Sequence, residues 1–223
     1  MGQNINLPTG AMQCIGAYRA DPAGTPRGGI VVVQEIFGVN AHIRRVVDGY
    51  AQAGYVAVAP AIFDYVEAGV ELGYDDAGVA RGRSLVAEVG FDRAVAAVAS
   101  AAEAIGSAGT IGVVGYCWGG TVAFLSNTRL GLPSVVYYGG RSVPFLHERA
   151  RAPLMFHFGE HDKIIPAAAR EQHREQQPQA QIHVYDAGHG FNCDLRADYD
   201  APSAALALER TLAFFGEHLA GAP

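Results

Sequence analysis

Lysine is nearly missing from this chain of 223 residues: Lys163 is the only one among 16 basic residues, set against 22 acidic ones. The resulting net charge of −6 offers no broad attraction for a phosphate backbone or an anionic membrane, so neither nucleic acid nor membrane is expected as a partner. Because arginine carries almost all the positive charge, a single arginine is weak evidence for an anion site. Cysteine is scarce as well. Cys14, Cys117 and Cys193 are odd in number and far apart, which argues against a disulfide framework and fits a reducing compartment. Uninterrupted apolar runs of about 18 residues, the length a membrane-spanning helix needs, are absent. The first ten residues have neither the cationic start nor the apolar stretch of a secretion signal, so the expected location is the cytoplasm. No repeat, low-complexity tract or Pro/Ser-rich linker divides the chain, and a single domain over 1–223 is expected.

What the chain has is apolar material, half of all residues, arranged as short strand-like runs alternating with helical patterns. Ile30–Val33, Tyr55–Ala59, Ile111–Val114, Val135–Tyr138, Leu154–Phe158 and Ile182–Tyr185 are rich in β-branched and aromatic residues and read as strands, with Met12–Tyr18 as an additional edge strand. Ile43, Val46, Val47, Tyr50 and Ala51 share one helix face. Ala205, Leu208, Leu212, Phe215 and Leu219 form a second apolar stripe, with Pro202 suited to that helix's start. The alternation predicts an α/β fold, a mostly parallel central sheet with helices on both faces. Residues 61–83, long, charged and containing four glycines, read as a loop that walls or covers a pocket.

The strand Ile111–Val114 runs into Gly115-Tyr116-Cys117-Trp118-Gly119-Gly120 ahead of a helical pattern. Glycines two before and two after a central residue let the backbone turn sharply from strand to helix and lift that side chain above the sheet, the geometry of a nucleophile elbow, here with cysteine in the serine position. The string alone equally suits a buried structural cysteine. A thiol nucleophile needs a base, and the base needs an orienting carboxylate. Gly159-Glu160-His161-Asp162 and Asp186-Ala187-Gly188-His189-Gly190-Phe191 follow two later strands, so Cys117, Asp162 and His189 appear in the chain order nucleophile, acid, histidine. All three lie beyond carboxyl ends of parallel strands, where open α/β sheets place their sites. Asp162 is preferred over Glu160 as the acid because it sits farther into its loop. His157, His161 and Asp162 lack the spacing of a zinc motif, and His42, His147, His173, His183 and His218 read as surface histidines, so no metal is expected. Gln34-Glu35-Ile36-Phe37-Gly38-Val39-Asn40 follows the strand Ile30–Val33; its Ile36 amide and the Trp118 amide are the expected oxyanion-hole donors, and Glu35 is expected to face the thiol.

With QEIFGVN, GYCWGG, HFGEHD and AGHGF together, the chain resembles the dienelactone hydrolases (carboxymethylenebutenolidases) of the α/β-hydrolase superfamily, from the first core strand to the closing helix. The resemblance implies an α/β-hydrolase fold and cofactor-free hydrolysis of a small, anionic lactone or ester. It implies Cys117 as nucleophile, His189 as base, Asp162 as its orienter and Glu35 as the group that holds the resting thiol. It also implies two arginines that hold a substrate carboxylate. Arg81 matches the first; the second position, four residues after the histidine, is Cys193 here, with Arg196 the nearest replacement. The missing second arginine leaves uncharged esters or thioesters open as substrates; a noncatalytic or redox-responsive binding protein on the same fold, with Cys117 as a ligand or sensor thiol, is the alternative from another class.

Overall fold

The computed structural model describes residues 2–9 and 14–219. One sheet contains β1 (Gln3–Pro8), β2 (Cys14–Ala20), β3 (Gly29–Val33), β4 (Val56–Pro60), β5 (Ile111–Tyr116), β6 (Ser134–Tyr137), β7 (Leu154–Gly159) and β8 (Gln181–Tyr185), in the order β1-β2-β4-β3-β5-β6-β7-β8. β1 and β2 run antiparallel to each other, and β2 antiparallel to β4; from β4 to β8 every pairing is parallel. The inner strands β3 to β7 are buried along their whole length, which explains their near-continuous Val, Ile, Ala and aromatic content: a parallel strand covered on both faces has no polar side to show.

Helices α1 (Ala41–Gln52), α2 (Asp76–Ala104), α3 (Trp118–Leu130), α4 (Ala167–Gln176) and α5 (Ala201–His218) cover both faces. On one face Tyr50 of α1 meets Phe215 of α5 edge to face, with ring centroids 6.2 Å apart. On the other, Phe156 of β7 lies 6.0 Å from Phe124 of α3 and 5.1 Å from His173 of α4. Side-chain caps on exposed backbone amides start three of the helices: Asn40 accepts from Ile43, Asp75 from Gly78 and Asp200 from Ser203. Cys117 holds the N-cap position of α3 but makes no capping bond, so its thiol is left for other partners. Among the described residues no helix is long and apolar enough to cross a membrane.

The six strands expected in the core are present within one or two residues of their expected ends. Of the expected edge strand Met12–Tyr18, Met12 and Gln13 lie outside the described residues, and β2 begins at Cys14. β1 has no counterpart in the sequence reading, because Gln3-Asn4-Ile5-Asn6 is polar and only Leu7 is fully buried. The expected loop 61–83 is shorter: a 3₁₀ turn occupies Ile62–Tyr65 and α2 begins at Asp76, so Arg81 is helical. Charge and glycine hid this segment, although Asp75 supplies a cap. α2 breaks at Gly90, whose φ of 72° favours glycine. In α5 the buried face is Ala204, Ala207, Thr211, Phe214 and Phe215, whereas Ala205 and Leu208 are exposed. The apolar stripe read from spacing is therefore offset by about one position, because the helix turns Thr211 inward to hydrogen-bond Tyr137 and His157.

Candidate active site

β5 ends at Tyr116 and α3 starts at Trp118, leaving Cys117 alone to make the turn, with φ 56° and ψ −116°. A non-glycine residue in this region is strained and needs surroundings that fix it. Those surroundings are tight. The Cys117 amide donates to the Tyr137 carbonyl at 3.0 Å, and the Gly120 amide to the Cys117 carbonyl at 3.0 Å. A Cβ on Gly115 would run into the Gly119 carbonyl, and one on Gly119 into the Gln34 carbonyl at the end of β3. The glycines of the elbow thus let α3 sit directly against β3 and β5 and aim the thiol over the sheet edge.

The thiol is half-buried and lies 3.2 Å from His189 Nε2. His189 Nδ1 lies 2.7 Å from Asp162 Oδ2, with Asp162 Oδ2 and the imidazole both shielded from solvent. The other Asp162 oxygen accepts from the Ile164 and Ile165 amides at 2.8 and 3.2 Å, which locks the carboxylate in its loop after β7. Cys117, Asp162 and His189, spread over three loops, are therefore brought into one hydrogen-bonded line. Burial by itself lowers the His189 pKa, but the hydrogen bonds to Asp162 and Cys117 and the charge of the Asp162 carboxylate outweigh it and raise the imidazole to about 10. Glu160, the rival acid, is exposed, as is His161, which pairs with Asp186 at 2.6 Å away from this line.

Trp118, as the first residue of α3, has an amide that helix geometry leaves without an intrahelical acceptor. Ile36 is half-buried in the turn after β3, and a Cβ on Gly82 of α2 would strike its carbonyl, so α2 packs directly on this turn. Stacked on Phe91 and beside Phe63, the Trp118 ring forms an apolar wall. Tyr138, also at positive φ (39°), places its ring 5.1 Å from His189.

Glu35 departs from expectation. Its side chain is buried, and its Oε1 accepts from Arg196 at 3.1 Å, whereas the hydrogen bond of the thiol goes to His189. Arg196 is half-buried against Gly190, whose φ of 82° and missing Cβ make room for the guanidinium. The fold thus brings Arg196, 161 positions from Glu35, to the same rim. Arg81 is exposed on α2 and paired with Glu67. Cys193 is buried, and burial beside Glu35 raises its thiol to about 11.

Two of the five histidines read as surface residues are buried. His42 is 4% exposed, with Nδ1 3.0 Å from Asp194 Oδ1. His173 is wholly buried, Nε2 bonded to the Ser142 hydroxyl at 2.7 Å and Nδ1 to the Ala169 carbonyl at 2.7 Å. His173 lies between Gln172 and Arg174, and His42 lies within one turn of Arg44 and Arg45, so polar residues close by in sequence mask the inward direction of each side chain. His157 is a core residue satisfied by Tyr185 and Thr211 hydroxyls.

The family model described as the dienelactone hydrolase family matches residues 15–219. A carboxymethylenebutenolidase of Pseudomonas putida is 34% identical over 228 residues, covering 95% of each chain. Carboxymethylenebutenolidase 1 of Cupriavidus pinatubonensis is 30% identical over 209 residues, covering 88% of this chain and 89% of its own. Among solved structures, a Klebsiella pneumoniae protein classed as a dienelactone hydrolase superposes with a TM-score of 0.84 at 28% identity, covering 97% of this chain and 99% of the other.

Proposed function

Because the chain belongs to the dienelactone hydrolase family and is a hydrolase of that kind, we propose that it opens a small, anionic lactone or ester through a thioester on Cys117. The observation that carries this reading is the line Cys117–His189–Asp162, 3.2 and 2.7 Å between successive partners, at the carboxyl edge of the parallel strands. Cys117 Sγ attacks the carbonyl carbon, its proton held on His189. Charge gathers on the carbonyl oxygen, for which the Ile36 and Trp118 amides are the assigned donors. The tetrahedral intermediate collapses as the ester oxygen leaves with the proton from His189, giving an acyl-thioester. His189 then takes a proton from water and the resulting hydroxide attacks the thioester; the intermediate collapses as the carbon–sulfur bond breaks and the sulfur takes the proton back from His189, freeing the carboxylic acid and restoring the Cys117 thiol. No step requires a metal or an organic cofactor. Throughout, Asp162 keeps the imidazole in one tautomer and stabilises its charged form.

Arg196 is the group assigned to a substrate carboxylate, taking the part of the arginine that Cys193 replaces. It is already bonded to a carboxylate, that of Glu35, and stands close enough to Cys117 to favour a thiolate there. A substrate carboxylate that competes for the guanidinium loosens Glu35, which couples anion binding to the surroundings of the thiol. Arg81, at the outer end of α2's first turns, is assigned a lesser share.

A matched panel of lactones and esters with and without a carboxylate tests this. Intact-mass trapping of an acyl adduct on Cys117, a drop of kcat/KM by about 10³-fold or more in Cys117→Ala, and a preference for the anionic members that Arg196→Lys reduces are the expected results. Indifference to the substrate carboxylate moves the assignment to uncharged esters or thioesters. Hydrolysis by Cys117→Ala at the wild-type rate ends the proposal.

A further inference from the structure

The same fold brings together a second set of groups, of which His42 and Cys193 take no part in the proposed hydrolysis and Glu35 enters it only through its pairing with Arg196. Glu35, His42 and Cys193 are all buried, and each can place one ligand atom within 4.8 Å of those of the other two. They come from the turn after β3, the first turn of α1 and the segment after His189. Two atoms here are buried with no hydrogen-bond partner: Glu35 Oε2 and His42 Nε2. The remaining polar atom of each is taken, Glu35 Oε1 by Arg196 at 3.1 Å and His42 Nδ1 by Asp194 at 3.0 Å. An ionised carboxylate oxygen and an imidazole nitrogen whose partner nitrogen donates to a carboxylate are both acceptors. The Cys193 thiol shares a hydrogen bond with the Tyr74 hydroxyl and serves neither of these atoms.

We propose that Glu35, His42 and Cys193 bind a single thiophilic divalent cation, Zn²⁺ by chemistry, beside the hydrolytic centre. Thiolate, imidazole and carboxylate are the three donor types zinc accepts, and three protein ligands leave a fourth position open. Tetrahedral zinc holds such ligand atoms about 3.3–3.7 Å apart; the 4.8 Å limit requires a contraction of no more than about 1.5 Å by side-chain rotation. The second shell is present: Asp194 bonds the far nitrogen of His42 and is itself held by Arg45 at 2.8 Å. Carboxylate–histidine–metal relays of this kind orient the imidazole and strengthen it as a ligand. His42, Arg45 and Asp194 also line a surface cavity of about 350 Å³ between α1 and α5, which brings solvent to the outer side of the cluster. Binding exchanges the Cys193 proton for the cation: the S–H bond breaks, the sulfur–metal bond forms and a proton goes to solvent. No oxidation state changes. The inference does not depend on the hydrolytic mechanism proposed above.

Co²⁺ is the probe, because thiolate ligation gives it a near-ultraviolet charge-transfer band and four-coordination gives strong visible bands. The full-length Cys14→Ser/Cys117→Ala variant keeps Cys193 as its only thiol, since the chain has three cysteines, and it removes the competing Cys117–His189 pair. One equivalent of Co²⁺, displaceable by Zn²⁺, is expected to develop the thiolate band. His42→Gln is expected to weaken binding by at least tenfold, and Asp194→Asn by about tenfold. Thermal unfolding without metal checks that each variant is folded, and Zn²⁺ is expected to raise the midpoint of the parent variant more than that of His42→Gln. No thiolate band at millimolar Co²⁺, or a band unaffected by His42→Gln in a folded variant, overturns the site. A band in wild type that disappears in the parent variant places the cation on Cys117 and overturns it equally.

Discussion

His157 and His189 are both buried, and both make hydrogen bonds at each ring nitrogen, yet their protonation is driven in opposite directions. His157, in the core, faces the hydroxyls of Tyr185 and Thr211; burial above all, with His183 and Arg210 nearby, pushes it well below its ordinary value, and it is neutral at pH 7. His189, at the rim, feels the same desolvation, but its partners are a carboxylate and a thiol, and they raise it to about 10. Burial alone would make both alike. What separates a structural histidine from one that can hold and return a proton is the charge on the atoms it touches.

The largest effect is expected where one rim partner is made neutral. Asp162→Asn keeps an oxygen for the Ile164 and Ile165 amides, so the loop is retained, while His189 loses the negative charge and the fixed tautomer. A loss of about 10²–10⁴ in kcat/KM is expected, together with a fall of the His189 pKa toward the behaviour of His157, read from imidazole NMR signals as pH is varied. An Asp162→Asn enzyme that retains full activity with His189 still titrating high would remove the basis of the comparison.

A smaller effect, in stability, separates the two histidines by the sign of their pH arms. His189 has a raised folded pKa, so its contribution is fully present below its ordinary value of 6.5 and is lost as pH rises through about 10. The folded pKa of His157 is depressed, so its contribution is present above 6.5 and is lost as pH falls below that value, where only the unfolded chain takes up the proton. Urea unfolding is expected to show a steeper loss between pH 7 and 10 for wild type than for Asp162→Asn. His157→Gln is expected to flatten the acid side and to destabilise by about 1–3 kcal/mol, since two buried hydroxyls lose a partner, with kcat per folded molecule unchanged. Parallel pH curves for wild type and both variants count against the assignment.

The sequence carried the rim better than its surroundings. Cys117, Asp162 and His189 were readable because each is tied to a local signal: a glycine-flanked turn, or a polar residue just past a β-branched strand end. The six core strands were readable for the same reason, since a strand buried on both faces must be apolar throughout. β1 was not, because its polar residues are held by backbone pairing to β2. Neither the Glu35–Arg196 pair nor the meeting of Glu35, His42 and Cys193 has a local signal; both join the turn after β3 or the start of α1 to the segment after His189 across well over a hundred positions, and only the closed fold brings them together. Gly190 was the available hint, since a glycine directly after a catalytic-type histidine leaves space that something must fill. Here that is the Arg196 guanidinium.

The smallest expected effect concerns the two arginines, Arg196 and Arg81. Arg196 has 19% of its side chain exposed and pairs with a Glu35 that has 1%, so water screens this pair poorly and its charge acts at short range. Arg81 is 44% exposed and pairs with a Glu67 that is 55% exposed, where solvent and salt screen most of the interaction. Arg81→Ala is therefore expected to change stability by less than about 1 kcal/mol and to lower kcat/KM for an anionic ester by no more than about threefold, an effect that vanishes as ionic strength rises past about 0.5 M. Arg196→Lys, which keeps the charge but loses the planar fork, is expected to raise KM for the same substrate more than Arg81→Ala does, at every salt concentration. The reverse order would assign the substrate carboxylate to α2 and leave Arg196 as the counter-ion of Glu35 alone.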